Sequence, residues 1–224
     1  MAPERCYREN TTGPLTLAKA CGERGLRLIT FSSDLVFDGE GTAPYRERDT
    51  TRPLNVYGMS KAEGERRVLQ INPTSLVVRT SSFFGPWDEA NFVTHTLREL
   101  RSKGEVHAPD DLLVSPTYVP DLVHACLDLL VDGEQGLLHL TNQGEISWAE
   151  LARLCAKMAG LDPARVVGRR SDDFGYPARR PKRSALTSER MRIMPTLDHA
   201  LHDYFANVKT APQILKTEPL GEWR

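Results

Sequence analysis

None of the 16 glycines in this 224-residue chain falls into a G-x-G-x-x-G or G-x-x-G-x-x-G pattern. A glycine-rich turn that opens a helix onto a dinucleotide pyrophosphate is therefore not written in these residues. Cysteine is sparse too. Cys6, Cys21, Cys126 and Cys155 form no CxxC pair, and no Cys/His cluster has the spacing of zinc ligands, so neither a disulfide framework nor a metal site is expected. Apolar runs stop far short of the roughly 20 residues that span a bilayer. The opening Met-Ala-Pro-Glu-Arg has no apolar signal core, and the expected location is the cytoplasm. Charge of one sign is missing as well: 29 Lys and Arg face 30 Asp and Glu, for a net charge of -1. That balance selects neither nucleic acid nor an anionic membrane as a partner.

What is present is ordinary globular composition, with 40% hydrophobic and 26% charged residues, which argues against disorder. Segments of two periodicities alternate. Leu15, Leu17, Ala18 and Cys21 mark a helix over 14–24, and a short apolar strand covers 26–31. A Gly/Pro-punctuated loop leads to a helix over 57–69 and a strand over 75–80. Further helices are predicted at 91–102, 120–132, 147–159 and 197–205, with a strand at 136–140. Strands alternating with helices of this length indicate βαβ units. The fold class is α/β, an incomplete doubly wound, Rossmann-like parallel sheet with a small, irregular C-terminal lobe. That lobe contains a basic tract over 165–183, with seven cations and two acids.

Ser32-Ser33-Asp34 ends the first strand, and Tyr57-Gly58-Met59-Ser60-Lys61 opens the next helix. Tyr57 and Lys61 are one helical turn apart and share a face. The end of a strand in an open α/β sheet is where ligands bind. This set suits carbonyl reduction. Hydride arriving at carbon drives charge onto oxygen, which needs a proton donor in place. A tyrosine with an ordinary pKa of about 10 is a poor donor unless a nearby ammonium lowers that value. A serine hydroxyl can hold the oxygen in position.

YxxxK alone is a weak signal, because a surface tyrosine beside a solvated lysine gives the same pattern. Its surroundings are more specific. The run Phe31-Ser32-Ser33-Asp34-Leu35-Val36-Phe37-Asp38-Gly39, then Pro44-Tyr45-x-Glu47, then Pro53-Leu54-Asn55-x-Tyr57-Gly58-x-Ser60-Lys61-x-x-Gly64-Glu65, resembles the extended short-chain dehydrogenase/reductases. It is similar in particular to the dTDP-4-dehydrorhamnose reductase family. Val78-Arg79-Thr80-Ser81-x-Phe83-Phe84-Gly85-Pro86, Asn91-Phe92-Val93, Ser115-Pro116-Thr117-Tyr118 and Arg180-Pro181 continue the likeness, which covers about residues 9–205.

The resemblance implies NAD(P)H-dependent reduction of a nucleotide-linked 4-keto-6-deoxy sugar, with dTDP-4-dehydro-L-rhamnose the expected substrate. It assigns catalysis to Tyr57, Lys61 and Ser33. It assigns the cofactor, NADPH or NADH, to Ser32, Ser33, Tyr57, Lys61 and Arg79. Asp34, Asn91, Phe92, Thr117 and Arg180 are then expected to bind substrate. Extended reductases of this type are often homodimers. Alternative readings stay open: Arg79 as the partner of a carboxylate, Asn91 as a helix cap with Phe92 packed beneath it, and most of the basic tract as a solvated loop. Asp121 reads as structural, in the first turn of a helix, and Trp87 and Trp148 read as packing residues. An epimerase or dehydratase of the same fold is one alternative function. A non-catalytic subunit resembling the regulatory subunit of methionine adenosyltransferase is another.

Relative to that family, the chain is expected to be one reductase domain over 1–224 without its N-terminal Gly-rich βαβ portion. The substrate lobe would come mainly from about 85–120 and 160–205. On the order of 60 residues, two βαβ units' worth, are expected upstream, as in a fragment or a start assigned at an internal Met. The strand over 26–31 would then form a sheet edge.

Overall fold

Leu76, Val77 and Val78 are consecutive and all buried. Apolar neighbours along a strand can all be covered only where both faces are packed, so this strand should lie within a parallel sheet. The computed structural model, which describes residues 2–210, has that arrangement. Its N-terminal helical stretch comprises α1 (Pro3–Tyr7), a π turn (Arg8–Thr12) and α2 (Gly13–Glu23). β1 (Ile29–Ser33), α3 (Val56–Ile71), β2 (Leu76–Thr80) and the short β3 (Phe83–Phe84) follow. Next come α4 (Phe92–Lys103), β4 (Val106–Pro109), β5 (Leu113–Val114), β6 (Thr117–Tyr118), α5 (Val119–Asp132) and β7 (Gly136–His139). The remaining elements are β8 (Ile146–Ser147), α6 (Trp148–Met158), β9 (Val166–Arg169) and α7 (Leu197–Thr210).

The main sheet has the order β1-β2-β7, all parallel, with Ile29 opposite Leu76 and Leu76 opposite Gly136. Alternation along β2 divides the core. Leu76 and Val78 pack with Leu138 and with Leu122, Cys126 and Leu129 of α5. Val77 faces the other way, onto Ala18 and Cys21 of α2 and Val68 of α3. Helices on both faces of a parallel sheet make a doubly wound arrangement. β1 is a sheet edge, as the sequence leads one to expect, and Phe31 on it is 45% exposed.

A second lobe is built around α4, α6 and α7, whose Leu97, Leu151, Cys155, Leu201 and Tyr204 form one cluster. Ser147 and Glu150 close a reciprocal capping box at the start of α6. Small strand pairs, β3 with β6, β4 with β9 and β5 with β8, stitch this lobe together.

One expectation is extended and one needs correction. The helix expected over 14–24 is present as α2, and it is preceded by further helical turns running back to Pro3 through the π turn. Pro14 has no N–H to give the Asn10 carbonyl, and the helix widens there instead of ending. The basic tract is not simply an irregular loop, because part of it forms β9 beside β4.

Candidate active site

The sequence places Tyr57 and Lys61 by docking the start of α3 onto the turn after β1. Asn55 caps that helix, its side chain accepting from Gly58 N at 2.9 Å. Gly58 is required there, since a Cβ would land on the Leu35 carbonyl. Nearly two turns further along, Gly64 lets α3 close on the Asn10 carbonyl. Between these two contacts Ser60 is fully buried, and its hydroxyl donates to the Tyr57 carbonyl at 2.8 Å.

Tyr57 remains 39% exposed, while its phenol end is set against the Ser33 hydroxyl. Burial raises its pKa above the ordinary tyrosine value and the charge of Asp34 adds to that, while the adjacent Ser33 hydroxyl acts the other way. Lys61 Nζ donates to the Phe31 carbonyl at 3.0 Å and lies 5.7 Å from the centre of the Tyr57 ring. Burial lowers its pKa, against the nearby Cys6 and Glu65. Burial is the largest influence on Tyr57 and favours its neutral phenol.

Other predicted site residues lie within the framework. Asp34, expected to touch substrate, is 6% exposed; it takes hydrogen bonds from Ser33 Oγ at 2.9 Å and Ser81 Oγ at 2.8 Å. Beside Ser81, Ser82 adopts a φ of 47°, a conformation costly for a residue with a side chain and characteristic of functional turns. Arg79, expected to hold cofactor, is 3% exposed and engages both oxygens of Glu65 at 2.8 and 2.7 Å. Its guanidinium lies 5.0 Å from the centre of the Phe37 ring.

Asn91 is the cap of α4, accepting from Thr94 N at 3.0 Å while its amide donates to the Gly85 and Asp88 carbonyls. Phe92 packs edge-on against Trp148, with centroids 4.6 Å apart. Thr117 is fully buried in β6, its hydroxyl shared between Thr80 and Ser115. In this structure Asp34, Arg79, Asn91 and Thr117 spend polar groups, and Phe92 its ring, on contacts within the protein. Asp121 accepts from Asn142, consistent with a structural role. Trp87 is 75% exposed and so is no packing residue; it follows the Gly85-Pro86 turn out of β3.

Two predicted residues remain available. Arg180 is exposed and stacks 4.5 Å from the Tyr176 ring. Ser32 Oγ is buried with no hydrogen-bond partner among the described residues. Within the basic tract, Arg165, Arg170 and Arg183 pair with Asp162, Asp111 and Glu145.

With this geometry in place, the chain can be compared with known proteins. The family model described as RmlD substrate binding domain matches residues 1–211. The chain belongs to that family. It is 39% identical over 190 residues to a dTDP-4-dehydrorhamnose reductase of Mycolicibacterium smegmatis, covering 84% of this chain and 58% of that protein. A dTDP-4-dehydrorhamnose reductase of Mycobacterium tuberculosis is 42% identical over 192 residues, covering 84% and 63%. The chain thus spans about three fifths of the length of these curated relatives. Among solved structures, the dTDP-4-dehydrorhamnose reductase of Bacillus anthracis, in complex with NADP, superposes with a TM-score of 0.84 at 31% identity, covering 88% of this chain and 72% of that one. The Clostridium acetobutylicum protein of the same name gives 0.87 at 30%, covering 92% and 75%.

In this RmlD-type chain the sequence reading missed a buried charged network behind the site. Glu47 is 9% exposed and accepts from Ser188 Oγ at 2.5 Å and from the His139 and Glu189 backbone N–H groups, both at 3.0 Å. Burial would raise the Glu47 pKa, but these donors hold it below the carboxylate range. His139 Nε2 lies 3.3 Å from Arg79 Nη1, which can only donate, so its proton sits on Nδ1, facing the Tyr45 and Thr187 carbonyls. Burial and the Arg79 charge lower the His139 pKa to about 4. The signal in the sequence was Glu47 and Glu65 themselves, charged residues inside the motif runs.

Proposed function

We propose that the chain supplies the catalytic and sugar-binding part of an NAD(P)H-dependent reductase acting on a nucleotide-linked 4-keto-6-deoxy sugar, dTDP-4-dehydro-L-rhamnose being reduced to dTDP-L-rhamnose. The observation that carries this reading is the Tyr57 phenol set beside Ser33, one helical turn from Lys61, at the carboxyl end of a parallel sheet. The names of the relatives point the same way.

When bound, the reduced nicotinamide supplies the hydride. The residues of this chain do the rest. Tyr57 Oη holds the proton that goes to the sugar carbonyl oxygen, and Ser33 Oγ fixes that oxygen. Lys61 spends one of three N–H donors on Phe31, leaving the others for ribose hydroxyls. The orphan hydroxyl of Ser32 fits a polar cofactor group in the same place. Arg180, exposed on the basic tract, is the residue proposed to meet the diphosphate charge. The substrate lobe in this reading is 85–120 with 160–205, and the single domain, the cytoplasmic location and the homodimer are those the family implies. Among the described residues no helix is long and apolar enough to cross a membrane.

The test is nicotinamide-fluorescence titration with NADPH and NADH, followed by an assay of dTDP-4-keto sugar reduction. Tyr57→Phe should lower kcat by about 100-fold or more, the scale of a lost general acid, with cofactor affinity changed less than threefold. Full turnover by Tyr57→Phe would refute the assignment. Cofactor binding with no sugar turnover by the wild-type protein would favour the regulatory-subunit reading.

A further inference from the structure

Asp34 is a buried carboxyl to which the reaction steps above give no part. It sits at the meeting point of three segments, receiving hydroxyl hydrogen bonds from Ser33 at the end of β1, Ser81 after β2 and Ser184 of the C-terminal lobe. All three serines are buried. Among the described residues Asp34 forms no ion pair with a cation, and the titratable group that feels its charge is the Tyr57 phenol.

Ser33 has one hydroxyl proton. An ionised Asp34 accepts hydrogen bonds only, so the 2.9 Å contact with its Oδ1 uses that proton. The Leu35 N–H occupies a Ser33 lone pair at 3.2 Å. In that state Ser33 has nothing to donate to a substrate oxygen. If Asp34 carries a proton, the same contact reverses: the carboxyl donates to Ser33 Oγ, and the serine proton is free to turn outward.

We infer that Asp34 is a positioning residue for the reaction proposed above, its carboxyl setting whether Ser33 faces the sugar carbonyl as a donor or as an acceptor. This inference rests on the reductase reading. No covalent bond changes at Asp34; it exchanges one hydrogen-bond direction for the other, and the transferred proton still comes from Tyr57. Burial of Asp34 without a cation favours its neutral form, raising its pKa despite the three serine hydrogen bonds.

Two measurements test the inference. In the pH profile of kcat for keto-sugar reduction, activity should decline twice as pH rises, first with Asp34 and then, above pH ~10, with Tyr57. Asp34→Asn, whose amide N–H donates to Ser33 at every pH, should remove the first decline. Asp34→Ala should lower kcat roughly tenfold or more with KM within about threefold, as expected for a lost transition-state contact. A first decline that persists in Asp34→Asn overturns the inference. Independently of activity, carbon-13 NMR of aspartate-labelled protein follows the Asp34 carboxyl, identified by its absence in Asp34→Asn. Its midpoint should lie above the ordinary value of about 3.9 and move in Ser33→Ala. An ordinary midpoint, indifferent to Ser33→Ala, refutes the coupling. If that titration responds to Ser33→Ala but the wild-type protein reduces no keto sugar, the reductase reading fails and the Asp34–Ser33 coupling stands.

Discussion

Removing Glu65 is the sharpest test of the view that Arg79 belongs to the framework. The side chains of the pair are 4% and 7% exposed and joined by two hydrogen bonds of 2.8 and 2.7 Å. In Glu65→Ala the guanidinium stays buried without its counter-charge, which costs about 3–5 kcal/mol in comparable sites. Arg79 keeps weaker partners in His139 and the Glu47 carbonyl, at 3.3 and 3.4 Å, so the lower end, about 3 kcal/mol, is expected. Against a total stability of roughly 5–15 kcal/mol that is a large share. With an m-value of about 2 kcal/mol/M, the urea midpoint should fall by about 1.5 M. The double variant Glu65→Leu/Arg79→Met removes both charges and should recover most of the loss. It also separates the two roles of Arg79. A framework residue predicts NADPH affinity within twofold of wild type in the double variant. A cofactor ligand predicts a loss of tenfold or more, and that result, or a Glu65→Ala midpoint within about 0.3 M of wild type, would refute the reasoning.

Other outcomes follow from the same contacts. His139 is neutral in the fold, with its pKa lowered to about 4 from 6.5, so the unfolded chain takes up the proton first as pH falls. Its contribution is complete above pH ~6.5 and is lost towards pH 4, up to about 3 kcal/mol. Urea melts at stepped pH should show this loss, and His139→Gln should flatten it. Gly58→Ala drives a Cβ into the Leu35 carbonyl and should cost about 1–3 kcal/mol, with kcat falling as Tyr57 is displaced; unchanged thermal melting would count against that packing. Asn91→Ala removes a helix cap and should cost about 1–2 kcal/mol, while the KM for the nucleotide sugar changes less than twofold if Asn91 is framework alone.

Much of the fold could be read because burial follows backbone period. The alternation at Leu76, Val77 and Val78 sorts side chains to α5 or to α2 and α3, and helical spacing marks α2, α3, α5 and α6 to within a few residues. Strands of two residues, such as Phe83–Phe84 and Ile146–Ser147, carry no period and were invisible. β4 and β9 pair across about 60 residues, and a cationic tract gave no sign of a strand. At the site, spacing fixed which residues gather but not which way they face. Tyr57, Lys61 and Ser33 meet because one turn of α3 and one strand end suffice. Arg79, Asn91 and Thr117 occupy motif positions too, yet their donors turn inward, a distinction that depends on Glu65, the Asp88 turn and Thr80.

The donors around Glu47 have a bearing on how the chain reaches its native state. They come from His139, Ser188 and Glu189, which are 92, 141 and 142 residues further along. Contacts of such separation form late, since each closes a long loop before it yields any stabilisation. During synthesis Glu47 leaves the ribosome well before any of them exists. Until Ser188 emerges, the first half of the sheet can assemble only with this carboxylate still in water. The segment around Ser188, remote from the sheet in sequence, is thus the piece that seals it.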